Sequence, residues 1–117
     1  MTDSIIARKS YNFARKIIRL YKYLCTHKKE YVLAKQVLRS GTSIGANVKE
    51  ALRGQSRRDF LSKMNIALKE ADETEYWLEL LIDEKYIDKE RGKEILSQCK
   101  EICRILNSIV KTVSTQN

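Results

Sequence analysis

The sequence predicts an all-α protein, an antiparallel up-down-up-down four-helix bundle formed as one domain over residues 1–117. Three observations carry that prediction. The chain has no proline and only four glycines, a composition that favours helix and works against a turn-rich β fold. Four stretches place apolar residues three and four positions apart, the spacing that keeps them on one side of a helix turning by about 100° per residue. The connections between them are short enough that each helix must turn back along its predecessor.

Helix 1 is expected to begin at Asp3 or Ser4, either of which can cap free backbone N–H groups, and to run to about Cys25. Ile6, Phe13, Ile17, Leu20 and Leu24 form its core stripe, widened by Ala14, Ile18, Tyr21 and Cys25. Its outer face carries Arg8, Arg15, Arg19 and Lys22, at steps of seven, four and three, as a row of cations. After the connection THKKE, helix 2 should span roughly Tyr31 to Arg53, with Leu33, Val37, Ile44, Val48 and Leu52 pointing inward. Gly41 and Gly45 share one side of it. Each costs up to ~1 kcal/mol relative to Ala in a helix interior, so a close approach by a neighbouring backbone, or a bend, is expected there. Gly54 reads as the stop of helix 2 and Ser56 as the cap of helix 3.

Helix 3 covers Asp59 to Ile82 and ends near Lys85, with Phe60, Met64, Ala67, Ala71, Thr74, Leu78 and Leu81 on its buried face. Glu70, Asp72, Glu73, Glu75, Glu79, Asp83 and Glu84 make its flank acidic. Asp88 should cap helix 4, whose stripe is Ile95, Cys99, Ile102, Leu106, Ile109 and Val113. Trp77, Tyr76 and Leu80 fall beside the stripe of helix 3, where an apolar patch implies a partner, and Glu73 lies on the same flank. Asn47, one turn from Ile44 and Ala51, reads as a buried polar contact that fixes register or oligomer state, the favoured reading, or as a boundary residue of the core.

Composition also excludes several functions. No apolar run reaches the ~18 residues of a membrane span, and the first ten residues lack a signal peptide's apolar centre, so a cytoplasmic protein without a membrane partner is expected. Cys25, Cys99 and Cys103 are odd in number and lack CxxC spacing, which fits free thiols. Cys99 and Cys103 share a face, but an antiparallel pairing sets Cys99 beside residue 16 rather than Cys25, too far for a shared ion. His27, the only histidine, sits in a Lys-rich connection with no nucleophile or acid to serve. The run SGTSIGAN lacks the lysine of a phosphate-binding Walker loop, and no Glu-x-x-His pair marks a dinuclear site. No catalytic residue, metal ligand or cofactor is assigned.

The charge is divided. Residues 1–58 hold 14 Lys and Arg against 3 Asp and Glu, and residues 59–117 hold 9 against 12, so the halves carry +11 and −3. A one-sided positive field favours a polyanionic partner, RNA or DNA, and equally lets one subunit's front attract another's back. The cations assigned to nucleic acid are Arg8, Arg15, Arg19, Lys22, Arg53, Arg57 and Arg58, with Lys28, Lys29, Lys35, Arg39 and Lys49 around them. Tyr11, Tyr21, Tyr23 and Tyr31 lie near enough to stack on unpaired bases. The residues assigned to an oligomer interface are Trp77, Tyr76, Leu80, Glu73 and Asn47.

The run GTSIGANVKEA, from Gly41 to Ala51, followed by Ser56, Asp59-Phe60 and IALKEADETEYWLELL, from Ile66 to Leu81, resembles the four-helix bundle family first named for a reading frame in the intervening sequence of bacterial large-subunit ribosomal RNA. The resemblance covers nearly the whole chain. It departs at Gly45, where many members carry proline, so that any bend of helix 2 here has to come from glycine. The family is similar in fold to the accessory protein of diversity-generating retroelements, a basic ring of five bundles that binds nucleic acid and its reverse transcriptase. The resemblance implies a homo-oligomer, a pentamer, without enzymatic activity, with a nucleic acid or a protein such as a reverse transcriptase as partner. The alternative is a protein-interaction scaffold whose charge asymmetry serves self-assembly or an acidic protein partner.

Overall fold

Caps set the ends of the four helices in this computed structural model, which describes residues 4–116. They are α1 (Ile5–His27), α2 (Val32–Leu52), α3 (Arg57–Asp83) and α4 (Lys89–Ser114). Ser4, Ser56 and Asp88 each accept a backbone N–H three residues on, from Ala7, Asp59 and Arg91, as N-cap side chains do. Asp3, the other expected cap, lies outside the described residues. α2 has no such cap at Tyr31; the carboxylate of Glu30 accepts the Leu33 N–H instead, at 2.7 Å.

α1 runs two residues past its expected end, so His27 closes the helix rather than sitting in the connection. There its ring stacks on Tyr23, with centroids 5.1 Å apart. Lys29 and Lys85 follow α1 and α3 in the left-handed region, with φ of 55° and 65°. The N–H groups of Lys85 and Tyr86 return to the carbonyls of Ile82 and Leu81, which satisfies the last turn of α3. α2 stops without this device. Gly54, expected to end it, has no positive φ, and α2 has already ended two residues earlier.

The helices form an antiparallel bundle of 49 × 22 × 19 Å in which α2 and α3 form the closest pair and α1 and α4 the loosest. Ile17, Leu24, Val37, Ile44, Val48, Met64, Leu78, Leu81, Cys99 and Leu106 are wholly buried along its axis. In α3, six of the expected inward residues are buried and Phe60, in the first turn, is half-buried. In α2 the buried line is Ala34, Val37, Gly41, Ile44, Val48 and Ala51, which alternates steps of three and four. Leu33 and Leu52 lie one residue, about 100°, off that line. Leu33 is therefore half-buried, and Leu52, expected inside, is 47% exposed. In α1, Ile18 is likewise exposed and Leu20 half-buried.

Of the two glycines of α2 only Gly41 serves a close approach, and α2 is one uninterrupted helix through both. A Cβ on Gly41 would lie 2.8 Å from Ile17 Cγ1, whereas one on Gly45 would make ordinary contact with Ser10 at 3.4 Å. Three hydroxyls enter the interior. Ser10 donates to the Ala7 carbonyl, while Ser40 and Thr74 share a hydrogen bond of 2.9 Å that joins α2 to α3. Among the described residues, no helix is long and apolar enough to cross a membrane.

Candidate nucleic-acid interface

The cation row of α1 forms because residues 8, 15, 19 and 22 return to nearly the same angle on a helix. Arg8, Arg15, Arg19 and Lys22 are all exposed. At 1.5 Å per residue the row is ~21 Å long, about six phosphate spacings along a strand. Arg53 joins it at one end, because the antiparallel course of α2 brings Lys49, Leu52 and Arg53 beside Ala7 and Tyr11 in one groove of about 450 Å³. Arg57 and Arg58 follow in the first turn of α3.

None of these cations has a carboxylate partner among the described residues, a property they share with most cations of the chain; Lys9, Arg39, Lys63 and Arg91 are the paired ones. Lys9 pairs with Glu101 at 3.2 Å, Lys63 with Glu50 at 2.9 Å, and Arg39 with Glu70 at 3.3 Å and also with Glu73. Arg39 therefore ties α2 to the acidic flank of α3. Arg57 is also engaged: its Nη2 donates to the Val113 carbonyl at 2.8 Å, where a cation suits the negative end of α4.

The five residues assigned to an oligomer interface do not form one free surface. Glu73 accepts from Arg39 and, at 3.0 Å, from Trp77 Nε1, so both are held within the chain. Tyr76 and Trp77 pack edge to face, with centroids 5.2 Å apart, and Tyr76 as a whole is 56% exposed. Leu80 is half-buried. The side-chain hydrogen bond of half-buried Asn47 is local: its Nδ2 donates to the Ser43 carbonyl one turn back, at 2.8 Å.

The register expected for Cys99 holds, since Gln98, Glu101 and Ile102 line one groove with Lys9, Phe13 and Lys16. Cys99 is buried and donates to the Ala71 carbonyl at 3.4 Å. The neighbouring Cys103 thiol, burial, and the carboxylates of Glu75 and Asp72 hold its own thiol far above the ordinary range. Cys103 is half-buried, with Sγ 3.7 Å from Glu75 Oε1, and its sulfur lies within 4.8 Å of one oxygen each of Asp72 and Glu75. Comparing the cysteines only with one another missed that grouping. It is one thiol and two carboxylates, the first of them exposed.

A second feature was not visible from one helix at a time. Between the end of α1 and the start of α4, Arg19, Leu20 and Tyr23 line a cleft of about 200 Å³ together with Ile87, Asp88, Arg91 and Ile95. Arg91 reaches the cleft from the first turn of α4, with its guanidinium Nε 3.7 Å from Asp88. The Asp88-x-x-Arg91 spacing and the pairing of α4's start with α1's end together carry the signal.

Comparison with known proteins matches this architecture. A family model described as 23S rRNA-intervening sequence protein matches residues 2–108. The chain is also similar to a protein of unknown function from Bacteroides thetaiotaomicron, described as belonging to the S23 ribosomal protein family. The two are 55% identical, with 92% of this chain and 99% of that chain covered and a TM-score of 0.90. No curated protein matches. Neither likeness is described by a reaction.

Proposed function

We propose, since the chain belongs to the 23S rRNA-intervening sequence protein family, that it is a non-enzymatic, oligomeric basic module that binds nucleic acid through cations of α1 and of the α2–α3 turn. RNA is the first substrate to test. One observation carries this reading. Arg8, Arg15, Arg19 and Lys22 are exposed in one row along α1 with Arg53 beside its start, all without a carboxylate partner among the described residues, whereas Arg39 is paired with Glu70 and Glu73 of α3. Arginine and lysine aligned along ~21 Å suit several phosphates of one strand and read no base sequence.

Arg57 is a weaker candidate than the sequence suggested, because removing it also loosens the end of α4. Charge reversal of Arg15 and Arg19 is the direct test, since each lies at the surface and in no ion pair of the described residues. Arg15→Glu with Arg19→Glu is expected to weaken RNA binding at least a hundredfold, measured by fluorescence anisotropy, with the melting temperature little changed. Unaltered affinity would remove the row from the interface.

The scaffold reading has its own support in the groove between α1 and α2. Tyr11, 66% exposed, and Leu52 lie there with Ala7, Ala14 and Ala46, an apolar surface that a second copy could cover. The two readings are compatible, since an assembly repeats the cation row once per subunit.

A further inference from the structure

We propose that the cleft between α1 and α4 seats one unpaired nucleobase, so that the strand this chain engages is single-stranded or bulged rather than continuous duplex. The inference rests on the phosphate-binding reading above and names the form of polymer that reading leaves open.

A base out of its helix has two apolar faces and a polar edge. Its seat therefore needs an apolar floor, a flat group to stack on and donors or acceptors at the rim. The cleft has each. Leu20, Ile87 and Ile95 form the floor, Tyr23 supplies a ring, and Arg19, Arg91 and Asp88 stand at the mouth. Its volume of about 200 Å³ is below that of sites for drug-sized ligands and suits a single small planar group. Asp88 caps α4 through the Arg91 N–H at 3.0 Å and also lies beside the Arg91 guanidinium, 3.7 Å from Nε, so both groups stand together at the rim.

Position adds the charge complementarity. Arg19 belongs to both the cleft and the cation row, with Arg15 one turn before it and Lys22 one turn after. A strand whose phosphates follow the row therefore passes the mouth of the cleft. Tyr23 in turn stacks on exposed His27, with an interplanar angle of 22°, and Lys28 and Lys29 follow. Aromatic surface thus continues beyond the cleft toward the end of the bundle. Bases inside a duplex are paired and stacked, and they reach such a seat only after extrusion.

The test compares a short labelled single-stranded RNA with a hairpin of the same nucleotide count whose loop is a non-nucleotide linker, so that every base of the hairpin is paired. Wild-type protein is expected to bind the single strand more tightly. Tyr23→Leu, which keeps the apolar contact and the charge, should weaken the single strand about tenfold, the loss of one stacked base, and leave the hairpin unchanged. A 2-aminopurine in the single strand should be quenched on wild-type protein and not on the variant. His27→Ala, at an exposed position, gives the same comparison should Tyr23→Leu not fold, with a smaller loss expected. Equal binding of strand and hairpin, with both variants silent, would overturn the base seat and leave phosphate binding standing. Failure of wild-type protein to bind either RNA would overturn both. A fall in the protein's own assembled mass on Tyr23→Leu, with RNA binding intact, would assign the cleft to a second copy of the chain and overturn the seat.

Discussion

Ile17 of α1 packs directly against Gly41 of α2, and the contact leaves no room for a methyl group. Ile17 is fully buried and β-branched, so its side chain has one preferred rotamer and little freedom to move away. Gly41→Ala should therefore lower stability by about 1–2 kcal/mol, overpacking outweighing the helical gain of up to ~1 kcal/mol. Gly45→Ala meets Ser10 only at ordinary contact distance and should be neutral or stabilise by up to ~1 kcal/mol. Urea unfolding of the two variants checks both signs. The spacing of the glycines was plain in the sequence, but which of them faces a rigid side chain depended on the register of α1.

Cys99 gives a second residue-scale prediction. Its thiol pKa is raised in the folded chain, so the native state holds the proton more tightly than the unfolded one. The associated stability is complete below the unfolded thiol's pKa of about 8.5 and is lost as pH rises above it, by up to ~1.4 kcal/mol per pH unit for one proton. Cys99→Ala should lack that share of the alkaline slope in unfolding experiments from neutral pH to above this value.

At the scale of the elements, Glu73 and Tyr76 lie on one helix flank but do different work. Glu73 links Arg39 of α2 to Trp77 of α3, an exposed pairing whose loss in Glu73→Ala should cost about 1 kcal/mol or less. Its substitution therefore disturbs the fold as well as any interface. Tyr76, exposed and packed edge to face with Trp77, is the cleaner probe. Tyr76→Ala should leave the melting temperature within a few degrees and reduce the mass seen by light scattering if this flank joins subunits. Unchanged mass would remove Tyr76 from the interface.

The helices themselves were legible because two kinds of signal agreed: apolar steps of three and four, and capping residues at Ser4, Ser56 and Asp88. α2 was read less well for a physical reason. Its core line uses Ala34, Gly41 and Ala51, small residues that let α1 and α3 come close, while its larger Leu33 and Leu52 lie off the line. Size suggested the wrong face there. Ser40 and Thr74 were legible only in part, since Thr74 fits the stripe but its partner on α2 appears only when two helices are set in register.

Across the whole molecule, the division of charge has a structural counterpart. Acidic residues of α3 neutralise Arg39 and Lys63 meets Glu50, while the outer row of α1 stays without carboxylate partners among the described residues. The positive front visible in the sequence is thus narrower in the fold than in the count. Arg39 is lost from it, Arg57 is partly spent on α4, and Arg91, from the acidic half, joins at the cleft. Contacts between distant helices decide each of these, and no pattern within one helix records them.

The most direct test of the nucleic-acid account is the salt dependence of RNA binding to wild-type protein of known assembled mass. If several cations of the row engage phosphates together, affinity should fall by about three decades between roughly 50 and 200 mM salt, with a shallower slope for the Arg15→Glu, Arg19→Glu variant. Absence of binding at the lower salt, or a slope that the variant leaves unchanged, would contradict it and assign the positive face to protein contacts.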